Sequence, residues 1–266
     1  MATSYGFGWK PDLPDHRDMV YSAPRAVLRQ LPPSADLRPH CPPVYDQGGI
    51  GSCTANAIGA AVQFDRLKAS QAPDFIPSRL FIYYNERAME HTVSYDAGAQ
   101  IRDGIKTVNK LGVCSEDEWK YSDAGAPKVD GAPFDPTAPA AQKPPAQAYK
   151  DALGFQVTTY MRLNQTLSQL QGCLADGYPF VFGFTVYENF FGPGHTPQTE
   201  IPMPSGGTLG GHAVLAVGYD DAKRQFVVRN SWGADAHDHG YFYMPYAYIT
   251  EPTLTSDIWT IRAVEA

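Results

Sequence analysis

The chain has 266 residues, of which 43% are hydrophobic and 12% aromatic, and it carries a net charge of −7. This composition predicts a folded protein with a sizeable core, as one large domain or two packed subdomains. The acidic balance argues against nucleic acid or an anionic membrane as the main partner. No apolar run approaches the ~20 residues that span a bilayer, and the first 30 residues lack the apolar stretch of a secretory signal peptide. The default location is the cytoplasm, with export by another route left open.

Residues 1–33 are polar, rich in proline and without clear periodicity. Two interpretations stay open: a disordered tail, or a strap that lies in or near a cleft and obstructs it. The aromatic side chains of Tyr5, Phe7, Trp9 and Tyr21 favour the strap, because solvated tails seldom carry so many aromatic residues.

Helical patterns occupy the first half of the remaining chain, and strand patterns occupy the second. The predicted helices cover residues 53–68, 78–90, 100–111 and 163–176, the first one capped by Ser52. The Ala- and Pro-rich residues 122–148 predict a long surface loop. The predicted strands cover residues 180–187, 212–219, 225–230, 241–246 and 257–263. This order is typical of an α+β chain, with a mainly helical half over residues 34–150 and a β-rich half over residues 151–266.

A glycine-rich loop, Gln-Gly-Gly-Ile-Gly-Ser-Cys at 47–53, delivers Cys53 to the start of the first helix. Helix N-termini carry partial positive charge, which favours a nucleophilic thiolate over a thiol. Far downstream, His212 lies in Gly-Gly-His-Ala-Val and Asn230 lies in Arg-Asn-Ser-Trp-Gly. A nucleophile needs a base, and the base needs a partner that fixes its tautomer. These three residues are therefore the candidate catalytic set.

Together with Gln47 and Trp232, these motifs resemble the papain-like cysteine proteases, in particular their bacterial branch with a short proregion. The likeness covers roughly residues 34–264. It implies a papain-like α+β fold in which a helical subdomain carries Cys53 and a barrel-like β-rich subdomain carries His212 and Asn230. The active-site cleft would lie between the two, and residues 1–33 would stand where a propeptide stands, as in a zymogen.

The resemblance also implies a role for each residue in the hydrolysis of peptide bonds through a thioester. Cys53 attacks as a thiolate paired with the His212 imidazolium, and His212 later protonates the leaving amine. Asn230 orients the imidazole, and Trp232 shields that hydrogen bond from water. The Gln47 amide and the Cys53 backbone N–H would stabilise the oxyanion.

The substrate-binding residues implied by the resemblance are Gly98, Ala99, Gly211, Ala213 and Trp232. Asp-Ala-Gly-Ala at 96–99 resembles a segment whose backbone pairs with the substrate backbone, although a simple turn explains it equally well. Gly211 stands where the family often has Asp or Asn, and Ala213 is expected to border the main specificity pocket.

The chain departs from the family pattern in the nucleophile loop, with Ile50 in place of a disulfide cysteine and Thr54 in place of an aromatic residue. We expect Cys41, Cys114 and Cys173 to be free thiols. No metal or cofactor is expected, because His-Asp-His at 237–239 is interpreted as a solvated turn.

Three functions are compatible with the motifs. An endopeptidase acting on peptides or proteins, with the N-terminal segment as its own cleft blocker, is the preferred one, and a monomer is expected. The first alternative is a peptide ligase or acyltransferase, in which an amine outcompetes water at the same site. The second is a non-catalytic peptide-binding protein whose cleft stays blocked by residues 1–33.

Overall fold

The computed structural model describes residues 6–265. The helices are α1 (Arg25–Arg29), α2 (Cys53–Lys68), α3 (Arg79–Met89), α4 (Ile101–Leu111), α5 (Ala146–Ala152), α6 (Leu167–Ala175) and α7 (Tyr246–Thr250). The strands of the first half are β1 (Trp9–Lys10), β2 (Val20–Tyr21), β3 (Ser34–Asp36) and β4 (Ala99–Gln100). The strands of the second half are β5 (Val157–Leu163), β6 (Phe180–Tyr187), β7 (Phe191–Gly192), β8 (Thr196–Pro197), β9 (Thr208–Asp220), β10 (Gln225–Arg229), β11 (Tyr241–Pro245) and β12 (Thr255–Val264).

The central sheet has the strand order β11-β10-β9-β6-β12-β5-β2, and β3 adds to β9. Its long strands are antiparallel, whereas β2 joins β5 in parallel. The sheet does not close into the expected barrel. Among the described residues the edge strand β2 has only two residues and pairs only with β5, so it leaves no ladder for β11 to join.

Helix α2 is the core of the helical layer and packs against β9 and β12 of the sheet. Its residues from Cys53 to Arg66 are all buried, as the nearly continuous run of apolar and small residues predicts. Helices α3 and α4 pack on α2 and on each other. The nucleophile loop therefore leads directly into the most buried helix of the described chain.

The three helices predicted before residue 112 are confirmed within one or two residues. The Ser78 side chain caps α3 by accepting from the Phe81 N–H, and Gly112 ends α4 with a φ of 72°. The capping role predicted for Ser52 is wrong. Its hydroxyl hydrogen-bonds the Tyr121 hydroxyl instead, at 2.6 Å, and the α2 N-terminus has no side-chain cap.

The predicted helix over residues 163–176 begins too early, because residue 163 closes strand β5, which pairs with β12. The apolar repeat of Leu167, Leu170 and Leu174 belongs to α6 alone. The predicted loop over residues 122–148 is largely confirmed, although α5 starts at Ala146. In residues 6–265, no helix is both long enough and apolar enough to cross a membrane.

Candidate active site

Cys53 is the first residue of α2 and is fully buried. The loop before it is held from two sides. The Asp96 carboxylate accepts the Gly51 N–H at 3.0 Å and also binds the Tyr83 hydroxyl, while the Tyr121 hydroxyl donates to the Gln47 carbonyl oxygen at 2.8 Å. The loop that Ile50 leaves without a disulfide is thus fixed by hydrogen bonds to the segment between α3 and β4 and to the segment after α4.

His212 and Asn230 come from adjacent strands of the sheet. His212 lies on β9, and Asn230 directly follows β10, which pairs with β9. The His212 Nε2 and Asn230 Oδ1 atoms are 2.8 Å apart. The Trp232 indole stacks on the His212 ring, with centroids 4.8 Å apart and planes at 26°. The predicted orienting contact and the predicted indole cover are therefore both present in the geometry.

The Gln47 side chain is fully buried, and the direction of its amide is set by Ser231. Its Oε1 accepts from the Ser231 hydroxyl at 2.6 Å, so its Nε2 faces the cleft. Nε2 donates to the carbonyl oxygens of Ile50 at 2.9 Å and Gly6 at 3.1 Å. Sequence reasoning missed Ser231, although it stands beside Asn230 in the same motif.

The N-terminal segment crosses the cleft. We call residues 6–21 the strap, with a near stretch of residues 6–10 and a far stretch of residues 12–21. In the near stretch the Gly8 carbonyl oxygen accepts from the Ala99 N–H at 2.7 Å, and β1 pairs with β4 in parallel. The backbone N–H of Gly8 faces the Cys53 thiol. Gly98, with a φ of 64°, leaves room for this contact, because a Cβ there would lie 1.9 Å from the Gly8 carbonyl oxygen.

The aromatic side chains of the near stretch fill the cleft on either side of Gly8. Trp9 lies on Gly183 and Gly211, where added Cβ atoms would come within 2.0 Å and 2.3 Å of it. Its indole N–H donates to the Asp257 carboxylate at 3.2 Å. Phe7 packs edge-on against the His212 ring, with centroids 6.1 Å apart. Of the aromatic residues that favour a strap, Tyr5 lies outside the described residues.

The far stretch is anchored by charged groups on the body of the protein. The Asp18 carboxylate pairs with Arg102 at 2.6 Å and with Arg162 at 3.4 Å. The Asp12 carboxyl is buried beside Asp257, whose own carboxylate accepts the Asp12 N–H at 2.8 Å and pairs with Arg162 at 3.1 Å. Burial, together with the neighbouring Asp257 charge, raises the pKa of Asp12 to about 6.

Under the strap, burial favours the uncharged forms of Cys53 and His212. Burial raises the pKa of Cys53 to about 12 and lowers the pKa of His212 to about 4, because both charged forms lose their hydration. The His212 Nδ1 makes no hydrogen bond within residues 6–265. Burial under the strap therefore disfavours the thiolate–imidazolium pair that the resemblance implies.

The predicted substrate-binding residues lie around the strap. Gly98, Ala99 and Gly211 contact it directly, and the Ala213 backbone N–H faces the Cys53 thiol. The predicted solvated turn at 237–239 holds for His239, whose side chain is 93% exposed. It is wrong for His237, because that side chain packs among aromatic rings and hydrogen-bonds the Asn230 amide.

All four cysteines are free thiols, and three of them are buried. Within residues 6–265 no group of three or more His, Cys, Asp or Glu side chains is arranged to hold a metal ion. Within the described residues, the candidate site is formed by the Cys53 thiol, the His212 imidazole and the side-chain amides of Asn230 and Gln47.

Comparison with known proteins gives consistent matches. A model of papain family cysteine proteases matches residues 31–257. The crystal structure of xylellain, a cysteine protease from Xylella fastidiosa, matches with a TM-score of 0.92 and 50% identity, over 100% of this chain and 98% of that one. A peptidase C1-like protein of Acanthamoeba polyphaga mimivirus is 37% identical over 98% of this chain and 88% of its own length. The cathepsin B-like CP3 of Giardia intestinalis is 31% identical over 83% of this chain and 72% of its own length.

Proposed function

Because the chain belongs to the papain family of cysteine proteases and is a cysteine peptidase, we propose that it is an endopeptidase kept closed by its own strap. The observation that carries the proposal is the position of the strap backbone. The Gly8 N–H faces the Cys53 thiol, and the Gly6 carbonyl oxygen accepts from the Gln47 amide. The chain itself thus occupies the groups that a peptide substrate needs.

Acylation begins with the Cys53 thiolate. Its sulfur lone pair forms a bond to the substrate carbonyl carbon, and the C=O π electrons move to oxygen. The resulting oxyanion accepts hydrogen bonds from the Gln47 side-chain amide and from the Cys53 backbone N–H, which are worth most in a water-poor cleft. The C–N bond then breaks, and the His212 imidazolium gives its Nδ1 proton to the departing amine.

Deacylation uses the same groups in reverse roles. Neutral His212 takes a proton from water through Nδ1, and the water oxygen attacks the thioester carbonyl. The C–S bond breaks, the acid product leaves, and the thiolate and imidazolium are restored. Throughout, Asn230 accepts from His212 Nε2–H and keeps the ring in line, while Trp232 covers that hydrogen bond.

The strap inhibits this chemistry in two ways. It fills the cleft, and by excluding water it favours the neutral forms of Cys53 and His212. When the strap is displaced, water returns, the pKa of Cys53 falls and the pKa of His212 rises. The proton then moves from sulfur to nitrogen, and the α2 N-terminus stabilises the thiolate.

A single added methyl group tests the strap in the full chain. In Gly8→Ala the new Cβ would lie 1.7 Å from the Gly51 carbonyl oxygen, so the near stretch has to shift and is seated less firmly. We expect labelling of Cys53 by an epoxysuccinyl probe, and hydrolysis of peptides, to rise about 10- to 100-fold, the factor given by an overpacking cost of roughly 1–3 kcal/mol. The matched control is Leu13→Ala in the strap, whose side chain is 71% exposed.

Three outcomes separate the interpretations. Equal, rapid labelling of the natural chain and Gly8→Ala would remove the strap from the proposal and keep the peptidase. Neither labelling nor hydrolysis in a folded Gly8→Ala chain would instead favour a peptide-binding protein. Aminolysis products that dominate when an amine is added would favour a ligase. In the same background Cys53→Ala should reduce hydrolysis to background without unfolding the chain, as measured by circular dichroism.

A further inference from the structure

The Asn230 amide has a second side-chain partner on the face away from His212. Its Nδ2 lies 2.9 Å from the Nε2 of His237, and the His237 Nδ1 lies 2.7 Å from the Gln198 carbonyl oxygen. An unbroken row of hydrogen bonds therefore runs from the catalytic imidazole through the amide and a second imidazole to the backbone.

Backbone groups fix the direction of every bond in this row. The Ser231 N–H donates to Asn230 Oδ1 at 2.9 Å, so this atom of the amide must be the oxygen. Nδ2 then points at His237 and can only donate, so the His237 Nε2 must carry a lone pair. The proton of the neutral ring sits on Nδ1, where the Gln198 carbonyl oxygen accepts it.

Aromatic side chains hold His237 in place. Its ring is nearly parallel to Trp232, with centroids 5.7 Å apart and planes at 19°, and Phe190 meets it edge-on at 5.9 Å. Phe242 closes a third side at 5.2 Å. Burial lowers the pKa of His237 to about 4, which favours the neutral ring.

We infer that His237 is a positioning residue of the peptidase. Its Nε2 lone pair holds the Asn230 amide in the one orientation that presents Oδ1 to His212. The inference rests on the proposed function, since its consequence is catalytic. With the amide fixed, His212 keeps its proton on Nε2, which leaves Nδ1, without a hydrogen bond in residues 6–265, to exchange a proton with sulfur and the leaving amine.

The surroundings explain why the neutral form of His237 is required. A proton on Nε2 would point one N–H at another, and the amide would have to turn, which removes the acceptor from His212. The titratable groups near His237 are His212 across the amide and the carboxyl groups of the adjoining groove, which are Asp46, Asp123 and Asp235.

The tautomer can be measured without any catalysis. In the full natural chain, ¹⁵N chemical shifts of the histidine rings at pH 7 should report Nδ1–H and a bare Nε2 for His237, and Nε2–H for His212. A His237 ring protonated on Nε2, or charged above pH 6, would overturn the inference. Because this readout needs neither strap displacement nor turnover, it stands even if the proposed function fails.

Kinetics test the consequence in the Gly8→Ala background. His237→Leu removes the acceptor, and kcat/KM should fall about 10- to 100-fold, the factor given by one unsatisfied buried polar group. The loss should appear in kcat with KM nearly unchanged. His237→Gln, whose side-chain oxygen can accept from Asn230 Nδ2, should recover most of it, and the matched control His239→Leu should change neither constant.

The outcomes separate the inference from the proposed function. If the Gly8→Ala parent hydrolyses peptides and His237→Leu matches it, the positioning role is wrong. If His237→Leu and His237→Gln lose activity equally, the ring contributes only packing, and the positioning role is again wrong. If the parent itself neither labels nor hydrolyses, the proposed function fails, and the tautomer measurement alone decides the inference.

Discussion

The two stretches of the strap are held by different forces. The near stretch, residues 6–10, contacts the site mostly through backbone atoms and packed aromatic rings, and its ion pair between Lys10 and Glu90 is long at 3.7 Å. The far stretch is held by buried carboxylates against Arg102 and Arg162. The near stretch is therefore sensitive to added or removed volume, and the far stretch to charge and pH.

The largest effect should come from Trp9→Ala in the near stretch. The indole is 8% exposed, fills the space over Gly183 and Gly211, and donates to Asp257. Truncation of a buried tryptophan costs about 3–5 kcal/mol, so strap opening, and with it the labelling rate of Cys53, should rise about 100-fold or more. If Trp9→Ala labels no faster than Leu13→Ala, packing does not seat the near stretch.

A smaller increase should follow Asp18→Ala in the far stretch. The Arg102 side chain is only 4% exposed, and in Asp18→Ala the seated strap would leave its charge poorly paired. We expect the labelling rate to rise roughly 10- to 30-fold. This is less than the rise that a fully unpaired buried charge would cause, because Asp12 remains near Arg102. Asp15→Ala is the control, since its partners Arg17 and Lys106 are 87% and 37% exposed, so neither is left as a buried unpaired charge. Equal rates for the two variants would argue against the ionic anchor.

The smallest effect should be the pH dependence of the far stretch. The pKa of Asp12 is about 6 in the seated strap and near its ordinary 3.8 when released, so the proton binds the seated form more tightly. Seating is therefore firmest in acid and weakens as the pH rises towards and through 6. The groups around Asp12 that set this window are Asp257, Asp18, Arg102 and Arg162.

Asp12→Asn mimics the protonated carboxyl at every pH. The ratio of labelling rates, natural chain over Asp12→Asn, cancels the titration of the thiol and should rise roughly tenfold between pH 4.5 and 6.5. A ratio that does not change with pH would show that Asp12 has the same pKa in the seated and the released strap. The predicted pH dependence of the far stretch would then be wrong.

The parts of the fold that the sequence predicts well are those written into local patterns. The continuous small and apolar residues of α2, and the apolar repeat of α4 before Gly112, determine helices with little help from distant residues. Local patterns do not predict strand β5, because its residues are mostly half-buried and its pairing with β12 joins segments about one hundred residues apart. Local patterns do not predict the open sheet either, because the pairing of the edge strands depends on the whole strand order.

The site divides in the same way. The types and spacing of Gln47, Cys53, His212 and Asn230 are enough to indicate the chemistry. The roles of Ser231 and His237 cannot be found in the sequence, because each depends on a hydrogen bond whose direction is fixed only in three dimensions. The His-Asp-His pattern at 237–239 predicts an exposed turn, since nothing in the local sequence indicates that the His237 side chain is buried.

The sequence by itself determined the chemical class of this protein, because a glycine loop, a helix N-terminus and three side-chain types are local facts. Only the tertiary structure decided the state of the site. The contacts that close it join Gly6 to Gln47 across 41 residues and Trp9 to Asp257 across 248. The charge of a thiol and an imidazole depends on the water around them, and that water is removed by a segment distant in sequence and adjacent in space.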